Sequence, residues 1–297
     1  MNTSFVKKLL ITGGNGQLAQ ALCHHSLAKN FQIIPCSRLD MDITDTDSIT
    51  NALVTFSPDI IINTAAFTAV DKAESDIKAS VEINHLGTQH LAAACEKQRI
   101  PLIHISTDYV FDGAKQNPYQ ENDVPNPINF YGKTKWLGEL AVRELCEQHI
   151  ILRVSGVFSE YGNNFLKTIL RLAQERKELR VVADQITCPT YAGDIAQAIF
   201  SIVKQNIERP THWGTYHYCS APPVSWYEFA KAIVTYAQNY KKLLVEEINA
   251  ITTDQYPTAA KRPAYSVFDC TKIQLDFDIP QPSWNEGIQK SIQGIFT

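Results

Sequence analysis

The sequence predicts an α/β protein: a doubly wound parallel sheet followed by a smaller, irregular α/β domain. Three observations carry this. Short, mostly apolar runs such as Leu9-Leu10-Ile11 and Ile60-Ile61-Ile62 alternate with stretches of helical periodicity, as expected of strands covered on both faces. The polar and glycine residues gather just after those runs, at 13–16, 37–42, 63–68 and 106–113, where open parallel sheets bind ligands. Beyond residue 155 the rhythm stops, and prolines at 189, 210, 222, 223, 257, 263, 280 and 282 cut the chain into short pieces.

In order, 9–12 reads as a buried strand, followed by a glycine turn and a helix near 17–29. A second strand covers 32–36. The helix over 45–56 is capped by Thr44 or Asp45. The third strand is 59–63, followed by one long helix over 80–99. The fourth is 102–106, then a polar, proline-rich loop and a helix over 129–146. The fifth is 149–154. Residues 1–155 therefore read as a dinucleotide-binding domain and 156–297 as mainly a substrate-binding domain. A helix over 194–204 is expected to pack back on the first.

Hydrophobic residues make up 44% of the 297, enough for a large core. Lys and Arg number 27 against 31 Asp and Glu, so the basic stripe of a nucleic-acid binder is missing. No apolar run approaches the roughly 18 residues that span a bilayer. The apolar stretch near the N-terminus is too short for a signal peptide. Seven cysteines without a Cys-x-x-Cys pair read as reduced thiols of a cytoplasmic protein.

Thr12-Gly13-Gly14-Asn15-Gly16-Gln17-Leu18-Ala19 follows the first strand and opens a helix. Glycines let backbone N–H groups approach a pyrophosphate at the helix N-terminus, and the small Ala19 permits close packing. This makes the sheet Rossmann-type. The second strand ends in Cys36-Ser37-Arg38. Where NAD enzymes usually place an acid for the ribose hydroxyl, a hydroxyl and a guanidinium suit a 2′-phosphate, so NADPH is the expected cofactor. Asp40 and Asp42 leave use of NADH open. Asp42 and Ile43 are expected beside the adenine. Asn63-Thr64-Ala65-Ala66 ends the third strand, where Ala65, Ala66 and Thr68 would let the backbone lie against the cofactor.

Tyr131 and Lys135 stand four apart near a helix start, so both project from one face. A lysine ammonium, together with the positive nicotinamide ring of the oxidised cofactor, would lower the tyrosine pKa from its ordinary value of about 10 and ready it to give a proton to a carbonyl oxygen. Lys135 could also hold the nicotinamide ribose. Ser106-Thr107 ends the fourth strand, and Thr107 is the better placed of the two to orient the same oxygen. Asn84 could support the lysine through a water.

Together these residues resemble the extended short-chain dehydrogenase/reductase superfamily and, within it, the dTDP-4-dehydrorhamnose reductase family. The similarity runs over nearly the whole chain. Besides the glycine turn, its specific parts are Asn63-Thr64-Ala65-Ala66-Phe67-Thr68-Ala69-Val70-Asp71-Lys72-Ala73-Glu74 and Ser106-Thr107-Asp108-Tyr109-Val110-Phe111-Asp112-Gly113. Gly162-Asn163-Asn164-Phe165, Asp184-Gln185 with Pro189-Thr190, and Arg262-Pro263 follow. The resemblance implies a catalytic trio of Thr107, Tyr131 and Lys135. It implies a sugar pocket lined by Asp108, Tyr109 and residues around Thr68 and Val70. It sets Asn164, Phe165, Gln185 and Arg262 toward a nucleotide diphosphate, and implies a dTDP-linked 4-keto-6-deoxy sugar as substrate. Monomer and homodimer both stay open. Some members use a magnesium ion at a dimer interface, and this sequence shows no recognisable carboxylate cluster for one. Two positions depart from the family: Gly156 where a tryptophan is usual, and Thr187 where glycine is usual.

Two other classes share these motifs. Nucleotide-sugar dehydratases need an acid pair after the Ser-Thr of the fourth strand, and Tyr109 replaces the second acid here. Epimerases hold NAD permanently and favour an acid after the second strand. The regulatory subunit of some methionine adenosyltransferases is also similar, but a retired active site is hard to square with Thr107, Tyr131 and Lys135 all present.

Overall fold

Strands β1 (Lys8–Thr12), β2 (Gln32–Cys36), β3 (Ile60–Asn63), β4 (Leu102–Thr107) and β5 (His149–Val154) form one sheet in a computed structural model that describes residues 6–208 and 211–297. Residues 1–5 and Pro210, which entered the sequence reading, lie outside the described residues. The sheet is parallel throughout, in the order β2-β1-β3-β4-β5 with a sixth strand, Gly214–Tyr218, beside β5. The strand order reverses between β1 and β3, so their carboxyl ends open a crevice for a ligand. The sixth strand escapes periodicity because Tyr216, His217 and Tyr218 are all buried, one of them polar.

Helices α1 (Gln17–His24) and α2 (Thr46–Phe56) follow β1 and β2. Asp45 caps α2 by accepting from the Asp47 N–H. The single helix expected over 80–99 is instead α4 (Ile77–Val81), a π-helical turn (Glu82–Gly87) and α5 (Thr88–Gln98), preceded by the short α3 (Val70–Ala73). The π-turn has a packing cause. It brings the Asn84 carbonyl onto α6 (Phe130–Leu145) at Gly138, where a Cβ would collide with that oxygen. Such turns recur at functional sites.

Leu9, Ile11, Ile62 and Leu152 pack on one face of the sheet, and Leu10, Ile61, Leu91 and Ile151 on the other. A third core of Phe158, Leu166, Phe229 and Ile288 lies among α7 (Phe165–Glu175), α9 (Trp226–Ala237) and the helix Trp284–Phe296, while α8 (Ala192–Glu208) packs Ile195, Ile199 and Ile202 into the first core. Helix α8 lies against α1. No helix among the described residues is long and apolar enough to cross a membrane.

Candidate active site

The glycine turn is built by close contact. Gly13 has φ +66°, and a Cβ there would come within 2.8 Å of Ala65 Cα. The Gly14 N–H donates to Cys36 O (2.8 Å), which ties the turn to the end of β2. Gly16, the N-cap of α1, has no side chain to occupy the first amides of the helix, and no acid stands in its first turn. Those donors and the helix dipole suit a pyrophosphate, and only glycine lets the backbone come this close. The turn therefore fits a dinucleotide. Asn15 and Gly16 are exposed, while Leu18 points into the core. Gln17 reaches the other way: its Oε1 accepts from Ser159 and Asn164, linking the turn to the second half of the chain.

At the end of β2, Ser37 donates through backbone and hydroxyl to Asp40 (2.8 and 2.7 Å). Arg38 Nε donates to Asp42 Oδ2 (2.8 Å), and its side chain is 74% exposed. One face of the guanidinium is thus anchored and its remaining N–H groups are in solvent. Ile43 is buried against Gly87, so its side chain faces the core and leaves only its backbone for a ligand. Ala65 and Ala66 are half-buried and Thr68 exposed on the loop after β3. Asn84 holds that loop by accepting from the Phe67 N–H (2.8 Å) and donating to Phe67 O (3.1 Å). It also donates to Thr134 Oγ1 (3.1 Å), one residue before Lys135 on α6.

Thr107, Asp108, Tyr109, Tyr131 and Lys135 come together where β4 ends and α6 begins. Asn129 caps α6 by accepting from the Gly132 N–H (2.8 Å). Gly132 lies so close to the Tyr109 carbonyl that a Cβ would collide with it. The Tyr109 and Tyr131 rings meet edge to face, centroids 5.5 Å apart. Lys135 is buried, and its Nζ donates to Ile105 O (2.7 Å) with His104 Nε2 at 3.4 Å. Burial pushes the ammonium down to about 8, partly offset by Glu139. Tyr131 departs from expectation. Burial pushes its phenol up to about 12, the Thr107 hydroxyl works against that, and the Asp108 charge adds to it. Desolvation of the anion outweighs any cationic help, so the phenol keeps its proton at neutral pH.

Asp108 is 4% exposed and turns inward, accepting from Thr107 (3.0 Å) and Ser155 (3.1 Å). Burial raises its carboxyl pKa above the usual range. Ser155 also meets Thr187 Oγ1 at 3.0 Å, and the same Oγ1 lies 3.5 Å from where a Cβ on Gly156 would be. The two departures from the family pattern are thus neighbours. Gly156 has φ +56°, and a Cβ would stand 3.0 Å from Pro189 Cα. Gly156→Ala is expected to destabilise the fold by about 1–2 kcal/mol, the penalty of a left-handed L-residue. An unchanged urea midpoint would contradict this.

Each of the residues expected at a nucleotide diphosphate is tied to a neighbour within the protein. Arg262 makes a two-pronged pair with Asp71 (3.2 and 2.7 Å), across 191 residues of sequence. Gln185 donates to Thr253 Oγ1 (3.1 Å). Asn164 caps α7 and donates to Gln17, Ser159 O and Tyr161 O. Phe165 packs on Trp226, centroids 4.6 Å apart. Val70 is half-buried at the start of α3, next to Asp71.

Two groups went unnoticed in the sequence. Glu139 and Arg153 form a fully buried ion pair (2.6 Å), with Ser106 and Arg143 also donating to Glu139. His104 is fully buried beside Lys135. The available signal was a charged or polar residue inside an apolar strand or on the buried face of a helix. Among the described residues no group of three or more His, Cys, Asp or Glu could hold a metal ion.

Comparison with known proteins matches residues 7–296 to the family described as RmlD substrate binding domain. The chain is 44% identical to a dTDP-4-dehydrorhamnose reductase from Aggregatibacter actinomycetemcomitans, over 95% of this chain and 97% of that one. It is 39% identical to one from Sinorhizobium fredii, over 96% of each. A crystal structure of dTDP-4-dehydrorhamnose reductase from Bacillus anthracis in complex with NADP superposes with a TM-score of 0.90 at 37% identity, covering 97% of this chain and 99% of that one.

Proposed function

Since the chain belongs to the dTDP-4-dehydrorhamnose reductase family, we propose that it reduces dTDP-4-dehydro-6-deoxy-L-mannose to dTDP-L-rhamnose with NADPH. The observation that carries this is the meeting of Thr107, Tyr131 and Lys135 where β4 ends and α6 begins, on the sheet edge that carries the glycine turn. Residues 1–155 would hold the dinucleotide and 156–297 mainly shape the sugar site. The glycine turn would take the pyrophosphate, Ser37 and Arg38 the 2′-phosphate, and Ala65 and Ala66 would let the backbone lie along the nicotinamide half.

Bound NADPH supplies the hydride that the keto carbon receives. The protein's part is at the oxygen. Tyr131 and Thr107 offer hydroxyls to the carbonyl, and charge develops there in the transition state. Tyr131 then gives up its proton, and a protonated phenol is the form needed in this direction. Lys135 stands behind it as a buried cation that eases the transfer. Tyr109, with Arg262 and Asp71 beyond it, forms a polar wall for the sugar. Tyr109 in place of a second acid disfavours elimination, so dehydration is the weaker reading. Seven free cysteines fit a reducing cytoplasm.

The test is spectrophotometric: NADPH oxidation with the 4-keto sugar generated in situ. Stoichiometric oxidation is expected, and its absence with a verified substrate would overturn the proposal. Purified protein carrying tightly bound NAD would favour an epimerase. Arg38→Ala is expected to weaken NADPH by about tenfold or more, the loss of a charge-assisted phosphate contact, and NADH far less. Equal loss for both in a fluorescence titration would remove Arg38 from the 2′-phosphate site.

A further inference from the structure

A chain of buried side chains crosses three strands from the glycine turn to Lys135. Thr12, the last residue of β1, accepts from the Ala65 N–H (3.2 Å) and donates to Asn63 Oδ1 (2.7 Å). Asn63, the last residue of β3, brings its Nδ2 to 3.0 Å from His104 Nδ1. On the far side of the ring, His104 Nε2 lies 3.4 Å from Lys135 Nζ. Thr12, Asn63 and His104 are each at most 1% exposed, so no water competes for these bonds.

The donors favour one tautomer. With its oxygen engaged by Thr12, Asn63 offers His104 an N–H, which matches a bare Nδ1. The ring is neutral, because burial and the Lys135 charge hold it far below the usual histidine range. The single ring proton is then on Nε2, aimed at the lysine.

We propose that His104 is a positioning residue for the reduction: held by Asn63 and Thr12 with its proton on Nε2, it turns an N–H rather than a lone pair toward Lys135 and so sets how readily that lysine releases a proton. A lysine opposed in this way can be discharged near neutral pH and recharge Tyr131 after each turnover. The groups around Lys135 agree. Glu139 on its own helix favours the ammonium, and Tyr131 one turn earlier is neutral. From β4 comes His104, on which His149 of β5 acts in turn. From β1 and β3 come the neutral Thr12 and Asn63. Among these, the His104 proton can change ring nitrogen without moving a charge.

The inference rests on the role given to Lys135 above, and its test separates the two. In protein labelled with ¹⁵N-histidine, the resonances that vanish in His104→Gln identify His104. Their shifts are expected to show a neutral ring protonated on Nε2, and an Nδ1 proton would overturn the proposal without any turnover being measured. In the reductase assay, the alkaline limb of kcat/KM against pH is expected to move up by about one unit in Thr12→Val, and likewise in His104→Gln. The valine frees Asn63 to turn its oxygen to the ring, and the glutamine can present its own oxygen to Lys135. A merely structural role would lower kcat/KM at every pH and leave the limb in place, and that result in variants melting near wild type would overturn the proposal. A wild type that reduces no keto sugar would count against the function proposed above, while the tautomer still decides for or against His104.

Discussion

Tyr131→Phe lowers kcat for keto-sugar reduction by about a hundredfold or more, the usual scale for losing a general acid. NADPH affinity should change little. The reason lies in the buried corner where β4 meets α6. The phenol is held protonated by burial and lies against Tyr109. Phenylalanine keeps that ring packing, so the loss is read as chemistry and not as folding. Thr107 would still orient the oxygen, which leaves a residual rate above the uncatalysed reaction. Near-normal turnover in Tyr131→Phe would remove the tyrosine from the proton path.

The second large effect is on stability. Glu139 and Arg153 are both fully buried, joined by bonds of 2.8 and 2.6 Å. Arg153 also reaches His217 Nε2 (3.2 Å) on the added sixth strand and lies over the Phe111 ring at 5.0 Å. The pair therefore clamps α6, β5 and the strand contributed from beyond residue 155. Glu139→Ala leaves a guanidinium buried with no counter-charge, which costs about 3–5 kcal/mol. For a chain of this length that corresponds to a fall in Tm on the order of 10 °C. Glu139→Gln keeps an acceptor for Arg153 and should lose less. A melting curve for Glu139→Ala within a degree or two of wild type would show that the arginine finds another partner.

These effects divide along what a sequence can display. β1 through β5, the turn at Gly13 and the Tyr131–Lys135 pair are legible because each is a local pattern of a few residues. Thr107 and Asp108 follow because a strand end is local too. The sixth strand is not legible, since its buried positions are Tyr216, His217 and Tyr218 rather than an aliphatic run. The π-turn at Glu82–Gly87 depends on Gly138 from another helix. The Arg262–Asp71 pair is not legible either, because its two members stand 191 residues apart. The direction of the Tyr131 shift in the protein alone is not legible for a related reason. Charge neighbours can be read from spacing, but burial is a property of the whole fold. His104 shows the same limit: its neighbours Asn63 and Lys135 come from another strand and a helix.

The most direct test of the central claim follows the hydride itself. Protein supplied with NADPH deuterated at nicotinamide C4, on the face that donates, and with the dTDP-linked 4-keto sugar should give a product carrying one deuterium at sugar C4, seen by NMR as loss of that proton signal. A product with no deuterium from either C4-labelled cofactor, or a keto sugar returned unreduced while NADPH is untouched, would contradict the account.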